Sequence, residues 1–548
     1  MRLIDRRIGL AFVVFLMLLG AATARAAWIG TAGSGDLKQR AATQQVEELT
    51  VTARRGTITD RNGIELAVSE DAATVYGNPL QIDDPGAVAA KLAPLTGVSE
   101  DELTRKLADR STGFVYLARK IPATAGQEIR ELEIEGIGTE TEPDRSYPQG
   151  TLAGQVIGAV GTDNYGLTGI EQRFEEDLHG SDGERTIVRD ALGDPISIVD
   201  NERAEAGEDI ELTIDVPLQE RVEAVLADVG ETFSPKGATA VVMDPRTGEV
   251  LSLANWPSVD PNDIGAADEE ARENRAVTTA FEPGSTFKAF TVAGAMEDQL
   301  IDPSTRFDLP PELQVADRTI GEAHARGYVN LSVGEILAQS SNVGSVMIGM
   351  KLGAERFDHW VRRFGFGAPT DVGLSGESPG IVLKPEDYSG SSMGNMPIGQ
   401  GIAVTPMQMA AAYSALANGG VYRRPTLLRS EVDEEGRRIV SKRTATEVAE
   451  MLEGVLAAGG TAEEASVPGY VVAGKTGTAE KVDPETGTYS ETKFVASFAG
   501  FAPAKDPRLL VSVMVDEPQG MYYGGEVAAP AFEQIMAFAL PYLRIPPD

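Results

Sequence analysis

The stretch Phe281-Glu282-Pro283-Gly284-Ser285-Thr286-Phe287-Lys288-Ala289-Phe290 sets a hydroxyl and an amine three residues apart, just after a Pro-Gly turn. Residues three apart share one face of a helix, so the Lys288 amine can approach the Ser285 hydroxyl. Ala289, Phe290, Val292 and Ala293 continue as a buried helix. An amine desolvated in such a setting gives up its proton more easily and can act as general base toward a serine nucleophile. The helix N-terminus favours the negative charge that develops during the attack. The pattern is short enough to arise by chance in a chain of 548 residues, and it describes an ordinary helix start equally well. A second copy, Ser490-Glu491-Thr492-Lys493, is expected in a polar turn before a strand, with no apolar helix behind its lysine and no chemistry.

Two further short motifs matter. Ser340-Ser341-Asn342 falls between a helical pattern ending near Ala338 and another restarting near Val343. Ser340 could relay a proton, and the Asn342 amide could hold a lysine or a substrate carbonyl. Serine and asparagine also make good helix caps, which reads the same residues without chemistry. Lys475-Thr476-Gly477-Thr478 lies on an expected strand that also holds Gly474. Glycine in a strand lets another backbone approach closely, and a strand edge can bind an extended peptide by main-chain pairing. Lys475 adds positive charge for a carboxylate. A loose strand end with ordinary Thr and Gly is the other reading. Each motif alone is ambiguous. Their order, S-x-x-K then S-x-N then K-T-G, matches the set found in penicillin-binding proteins and class A β-lactamases.

Composition narrows the chemistry. There are no cysteines, so a thiolate nucleophile, a thiolate metal site and a disulfide framework are excluded. The three histidines, His179, His324 and His359, stand in unrelated contexts, which makes Ser-His-Asp catalysis and a His-rich metal site poor fits. A net charge of −35 repels nucleic acid and anionic membrane surfaces, and otherwise reads as a solvated acidic exterior.

The elements that must position these motifs follow from patterning. Arg2, Arg6 and Arg7 precede an uncharged run from Ile8 to Ala24. Basic residues before such a run predict a cytoplasmic tail over 1–7, a signal anchor over 8–27 and an exported remainder. The small residues Ala22 to Ala26 also fit a cleavage site, leaving a cleaved signal peptide or a buried soluble helix as alternatives. Residues 30–49 read as a polar stalk, and 201–210 as a charged linker. Asn62-Gly63 signals a hairpin turn. Residues 237–255 read as a second hairpin turning at Asp244–Gly248, after a strand-to-helix segment from 211. Strands are expected at 470–479, 494–501 and 509–515, the last two antiparallel because their link is too short for a crossover. A closing helix is expected at 529–543. With a mostly helical block from Ser285 to about Asn418, this predicts an α+β domain: one antiparallel sheet with helices packed on it.

Taken together, the chain resembles a class B penicillin-binding protein of the septal, division type. The segments Arg54–Gly63, Arg145–Gly150 and Gly166–Gly183 resemble that family's N-terminal pedestal. The catalytic segments are Phe281–Lys288, Ser340–Gly344, Gly474–Lys481 and Phe494–Ala504, and Tyr522–Phe532 is similar to the end of the septal type. The resemblance implies a five-stranded antiparallel sheet with helices on both faces, the serine-transpeptidase fold, over 211–548. An elongated mixed α/β pedestal over 28–210 and one transmembrane helix would precede it. It implies Ser285 as acyl-accepting nucleophile with Lys288 as its base. Ser340 would pass a proton to the departing D-alanine, and Asn342 would position Lys288 and the substrate amide. Lys475 would support the relay. Thr476, Gly477 and Thr478 would bind the donor, the two threonines on its carboxylate, with the Ser285 and Thr478 N–H groups as oxyanion hole. The implied substrates are peptidoglycan stem peptides ending in D-Ala-D-Ala, with β-lactams acylating the same serine and no cofactor or metal. Implied partners are a SEDS-family glycan polymerase and divisome membrane proteins, with the catalytic domain on the extracytoplasmic side of the cytoplasmic membrane. An elongation-type transpeptidase, a serine β-lactamase, a D,D-carboxypeptidase and a non-catalytic β-lactam sensor share parts of this pattern.

Overall fold

The computed structural model describes residues 2–30, 46–189, 195–432, 435–483 and 486–548. The chain divides into two compact units, one of residues 1–54 with 180–207 and one of residues 55–179 with 208–548.

In the first unit, Arg2–Gly30 is a single helix. Its segment Gly9–Trp28 has 20 residues, a mean hydropathy of 2.0 and none of its surface buried, so it is long and apolar enough to cross a membrane. Three antiparallel strands, Val46–Val51, Gly183–Arg189 and Pro195–Glu202, form a sheet with Gly183–Arg189 in the middle. The expected stalk lies mostly at 31–45, outside the described residues, and its end is strand. The expected linker at 201–210 is shortened too, because Glu202 still pairs with Glu184. An exposed edge strand needs no apolar residues to pair, and so reads as linker in sequence.

The second unit begins with the hairpin signalled by Asn62-Gly63. Asp60 Oδ1 accepts from Asn62 N at 2.7 Å and Ile64 N at 2.8 Å, and Gly63 takes φ 82°. Here the turn joins the short strand Ile58–Thr59 to Glu65–Gly77, which pairs in turn with Val115–Pro122 and Ile137–Ser146. Helices Pro85–Thr96, Glu100–Ala108 and Ala123–Glu131 give this sheet a small core of its own around Val75, Leu92, Leu103 and Ile121. The three segments singled out as pedestal-like meet in one buried ion network. Arg145 Nε lies 2.6 Å from Glu171 Oε1, Arg55 pairs with the other oxygen, and all three side chains have no exposed surface.

The same unit holds the central sheet. Its strands are β1 (Gly237–Met243), β2 (Val250–Trp256), β3 (Ala473–Val482), β4 (Tyr489–Ala502) and β5 (Leu509–Asp516). They run in the order β2-β1-β5-β4-β3, every neighbour antiparallel. Every residue of β1 and β5 is buried, so both faces of the sheet are covered. Helices α1 (Val216–Phe233) and α5 (Gly524–Tyr542) pack on each other and on the sheet. The other layer contains α2 (Lys288–Glu297), α3 (Asn342–Leu352) and α4 (Pro406–Ala417), whose twelve residues are all buried.

One expectation gains detail and one needs correction. The block from Ser285 to Asn418 has mostly helices as its regular structure, as expected, but not helices alone. It holds four strands of four residues each, Arg306–Leu309 paired with Val329–Ser332 around the hairpin Glu312–Val315/Arg318–Gly321. Runs so short and largely exposed carry no usable alternation. The Ser490–Lys493 copy lies inside β4, not before it, because the β3–β4 hairpin extends past the sheet to the pair Val482–Tyr489.

Candidate active site

Ser285 sits on a turn that the backbone around it dictates. Gly284 takes φ 54°, a left-handed value suited to glycine, and its N–H donates to Gly399 O at 3.0 Å. Residues Gly284–Phe287 form one 3-10 turn that passes into α2. The Phe287 ring anchors the turn among Phe290, Phe357 and Phe366, with centroids 5.5, 6.2 and 5.2 Å away. From α4, Tyr413 Oη donates to Thr286 O at 2.7 Å. The turn rests on edge strand β3. A Cβ on Gly477 would come within 2.4 Å of Ser497 Oγ and 2.8 Å of Pro283 O, so only glycine lets the two backbones meet.

Lys288 is fully buried at the start of α2, three residues after Ser285. Its Nζ donates to Ser340 O and Asn342 Oδ1, each at 2.7 Å, and lies 3.2 Å from Ser340 Oγ. Ser340 adopts φ 57°, unusual for a residue with a side chain, and this turns both its carbonyl and its hydroxyl to the lysine. A neutral amine donates two hydrogens and accepts one. Ser340 O and Asn342 Oδ1 would take the two, leaving the lone pair for a hydroxyl proton. Burial pulls Lys288 down to about 7, against an opposing pull from the Glu322 carboxylate. Lys475 is also fully buried, its Nζ 3.2 Å from Thr476 Oγ1. Burial first, and the charge of Lys288 second, hold it well below the ordinary lysine range.

A cleft of about 1160 Å³ is lined by Ser285, Ser340, Asn342, Thr476 and Thr478 among others. Lys288 and Lys475 reach it through bonded neighbours, Ser340 and Asn342 for the first and Thr476 for the second, and Gly477 packs against the nucleophile turn. The Thr476 hydroxyl is shared with Thr461 Oγ1 at 2.9 Å, and Thr478 Oγ1 accepts from Gly524 N at 2.9 Å. The Thr478 hydroxyl, accepting there, still has its proton to donate to an acceptor in the cleft. Three segments thus converge from far apart in sequence. The decoy stays apart: Ser490 is half-buried on β4, outside the residues that line the cleft, and its Oγ accepts from Lys493 N at 3.2 Å.

Other cleft residues carried no sequence signal. Glu322 and Arg326 stand in an Ala- and Gly-rich loop after the short hairpin, and Glu322 holds the Ser340–Asn342 turn. Glu282, next to the Pro-Gly turn, accepts from Gly401 N at 2.9 Å and Tyr489 Oη at 3.1 Å, tying the nucleophile turn to the β3–β4 hairpin. Burial pushes its carboxyl up. Among the described residues no group of three or more His, Asp or Glu is placed to hold a metal ion.

The sequence matches two known families in succession. Residues 50–212 match the penicillin-binding protein dimerisation domain, and residues 238–537 the penicillin-binding protein transpeptidase domain. The protein named "Probable peptidoglycan D,D-transpeptidase PenA" of Neisseria meningitidis is 35% identical over 547 residues, covering 99% of this chain and 93% of that one. Peptidoglycan D,D-transpeptidase FtsI of Escherichia coli is 32% identical over 552 residues, covering 100% and 93%. The crystal structure of penicillin-binding protein 3 from Mycobacterium tuberculosis complexed with aztreonam has 30% identity and a TM-score of 0.71, covering 91% and 98%. With a transpeptidase domain in which three motifs meet beside a five-stranded antiparallel sheet, and a dimerisation domain ahead of it, this chain belongs to the class B penicillin-binding proteins.

Proposed function

We propose that this protein is a peptidoglycan D,D-transpeptidase that cross-links stem peptides at the division septum through an acyl-enzyme on Ser285. The fixed placement of Lys288 Nζ against Ser340 and Asn342, two residues that line the same cleft as Ser285, supports this most directly. Neutral Lys288 takes the Ser285 proton as Oγ attacks the penultimate D-alanine carbonyl of a stem ending in D-Ala-D-Ala. The N–H groups of Ser285 and Thr478 hold the oxyanion. Thr476 and Thr478 bind the terminal carboxylate, and Gly477 keeps the strand close to the nucleophile. Ser340, fed by Lys288, protonates the departing D-alanine nitrogen, with Lys475 supporting the relay. An amine from a second stem then attacks the ester, its proton returns through the same groups, and Ser285 is released. β-Lactams enter at the first step and stop at the acyl-enzyme.

Residues 28–210 serve as pedestal and 211–548 as transpeptidase domain. The helix at Gly9–Trp28 anchors the protein in the cytoplasmic membrane, with three arginines on the cytoplasmic side and the catalytic domain outside. A SEDS-family glycan polymerase and divisome membrane proteins are the expected partners along the anchor and pedestal. The septal assignment draws on likeness to the relative named FtsI. Mass spectrometry after incubation with penicillin tests the chemistry. A long-lived adduct on Ser285 is expected, and rapid release of hydrolysed penicillin would make the protein a β-lactamase instead.

A further inference from the structure

Asn342 can present its carbonyl oxygen to Lys288 only if its amide is held one way round. The loop that follows the Glu312–Gly321 hairpin does this. Gly321 O accepts from Asn342 Nδ2 at 3.0 Å, which leaves Oδ1 for the lysine. Glu322 Oε2 accepts from Asn342 N, and Oε1 from Ser341 Oγ, each at 2.7 Å. Ser341 is also the N-cap of α3, accepting from Gly344 N at 3.0 Å. Arg326 bonds Glu322 Oε1, and its Nη2 donates to Ser341 Oγ at 3.0 Å. The Glu322 side chain is 7% exposed, so its charge is poorly screened.

We propose that Glu322 and Arg326 are positioning residues: they hold the Ser340–Asn342 turn against Lys288 and supply opposed charges that act on the Lys288 ammonium. This rests on Lys288 being the base for Ser285. Burial pushes the Glu322 carboxyl up, but donors from Ser341, Arg326 and Asn342 bring it below its ordinary value, so it is ionised at neutral pH. An ionised Glu322 favours the protonated amine, opposing burial, and Arg326 offsets part of that charge. The other charge acting with Lys288 is Lys475 on β3, whose own ammonium Lys288 disfavours. The loop therefore adjusts a base that neither residue touches.

The signature is a pair of opposite shifts. The full-length protein in detergent is acylated with a fluorescent penicillin from pH 5 to 9, as wild type, Glu322→Gln, Glu322→Asp and Arg326→Gln, with melting curves for each. Removing the anion destabilises the ammonium, so Glu322→Gln moves the midpoint of the rising limb to lower pH. Removing the cation leaves Glu322 unopposed, so Arg326→Gln moves it to higher pH. Glu322→Asp restores the midpoint even where the shorter side chain lowers the rate. A purely structural loop would change the rate at every pH and leave the midpoint in place. If Glu322→Gln does not fold, the direction of the Arg326→Gln shift decides. Midpoints that stay fixed, or move together, overturn the inference while the wild-type limb and its loss in Lys288→Arg keep the base assignment. Normal acylation by Lys288→Arg overturns both.

Discussion

Replacing Lys288 with arginine isolates proton transfer from charge. Arginine keeps a cation in the site but stays protonated at any physiological pH. The buried Lys288 titrates near 7, so about half of it is neutral there, against roughly one molecule in several thousand for an unperturbed lysine. General-base catalysis contributes about 10²- to 10⁴-fold, so acylation by penicillin should fall by about that factor, or roughly 3–5 kcal/mol of barrier. Stopped-flow acylation with a chromogenic cephalosporin across pH 5–9 reads it directly. In the wild type the rate should rise with pH through about 7, because the amine becomes a base only as it loses its proton. Stability follows the same sign. The native state holds fewer protons than the unfolded chain between about 7 and 10.5, so the lysine's contribution to stability improves as pH rises through that window and is least favourable below it. Lys288→Arg should be flat in pH over the same range. Acylation by the variant within about tenfold of wild type, some 1.4 kcal/mol, would refute the assignment of Lys288 as base.

Other outcomes follow from single contacts. Ser285→Ala should abolish the penicillin adduct in intact-mass spectra, and Ser490→Ala should leave it unchanged, since only Ser285 opens into the cleft. Gly477→Ala should force Ser497 and Pro283 away from β3, lowering stability by about 1–3 kcal/mol with a larger loss in acylation rate, read by thermal melting beside acylation kinetics. Glu171→Gln should leave Arg145 buried without its anion and Arg55 with Glu175 alone, costing roughly 3–5 kcal/mol in melting experiments, while acylation below the melting range stays near wild type. Deleting residues 1–27 should give a protein that needs no detergent and still binds penicillin, as sedimentation and labelling would report. Aggregation with loss of labelling would show that the catalytic unit depends on the helix.

Much of the site could be read from sequence because its chemistry sits in contiguous residues. Ser285 and Lys288 share a turn, and Thr476 to Thr478 share a strand, so spacing alone carried them. The large apolar strands β1, β4 and β5 were legible for a related reason: burial on both faces demands unbroken hydrophobic runs. Glu322 shows where such reading stops. Its partners are 19 and 20 residues away, beyond a loop, the four-residue strand Val329–Ser332 and the short helix Val333–Ala338. Neither propensity nor periodicity marks a residue whose role is set by a distant loop closing over it. The start of α5 at Gly524 was missed too. Two adjacent glycines argue against a helix, but here a Cβ on Gly524 would come within 2.3 Å of Gly477 O and one on Gly525 within 2.7 Å of Thr461 O.

The strand order has a consequence for how the enzyme is made. β5 lies between β1 and β4, so the central rung of the sheet is the last strand to be synthesised. Until residue 516 is available, β1–β2 and β3–β4 are two separate hairpins, each with an unpaired edge. Closing them requires bringing together segments more than 250 residues apart, Leu510 with Met243 for example, which makes assembly slow and leaves those edges open to aggregation meanwhile. A chain truncated after Arg508 would retain Ser285, Lys288, Ser340, Asn342 and the Lys475–Thr478 strand, yet have nothing to join the two halves of the sheet. Such a fragment should fail as an all-or-none event, without passing through a weakly active enzyme. Nascent protein, though it already carries every motif, should therefore stay inert toward penicillin until β5 is made, which labelling of ribosome-bound chains would read.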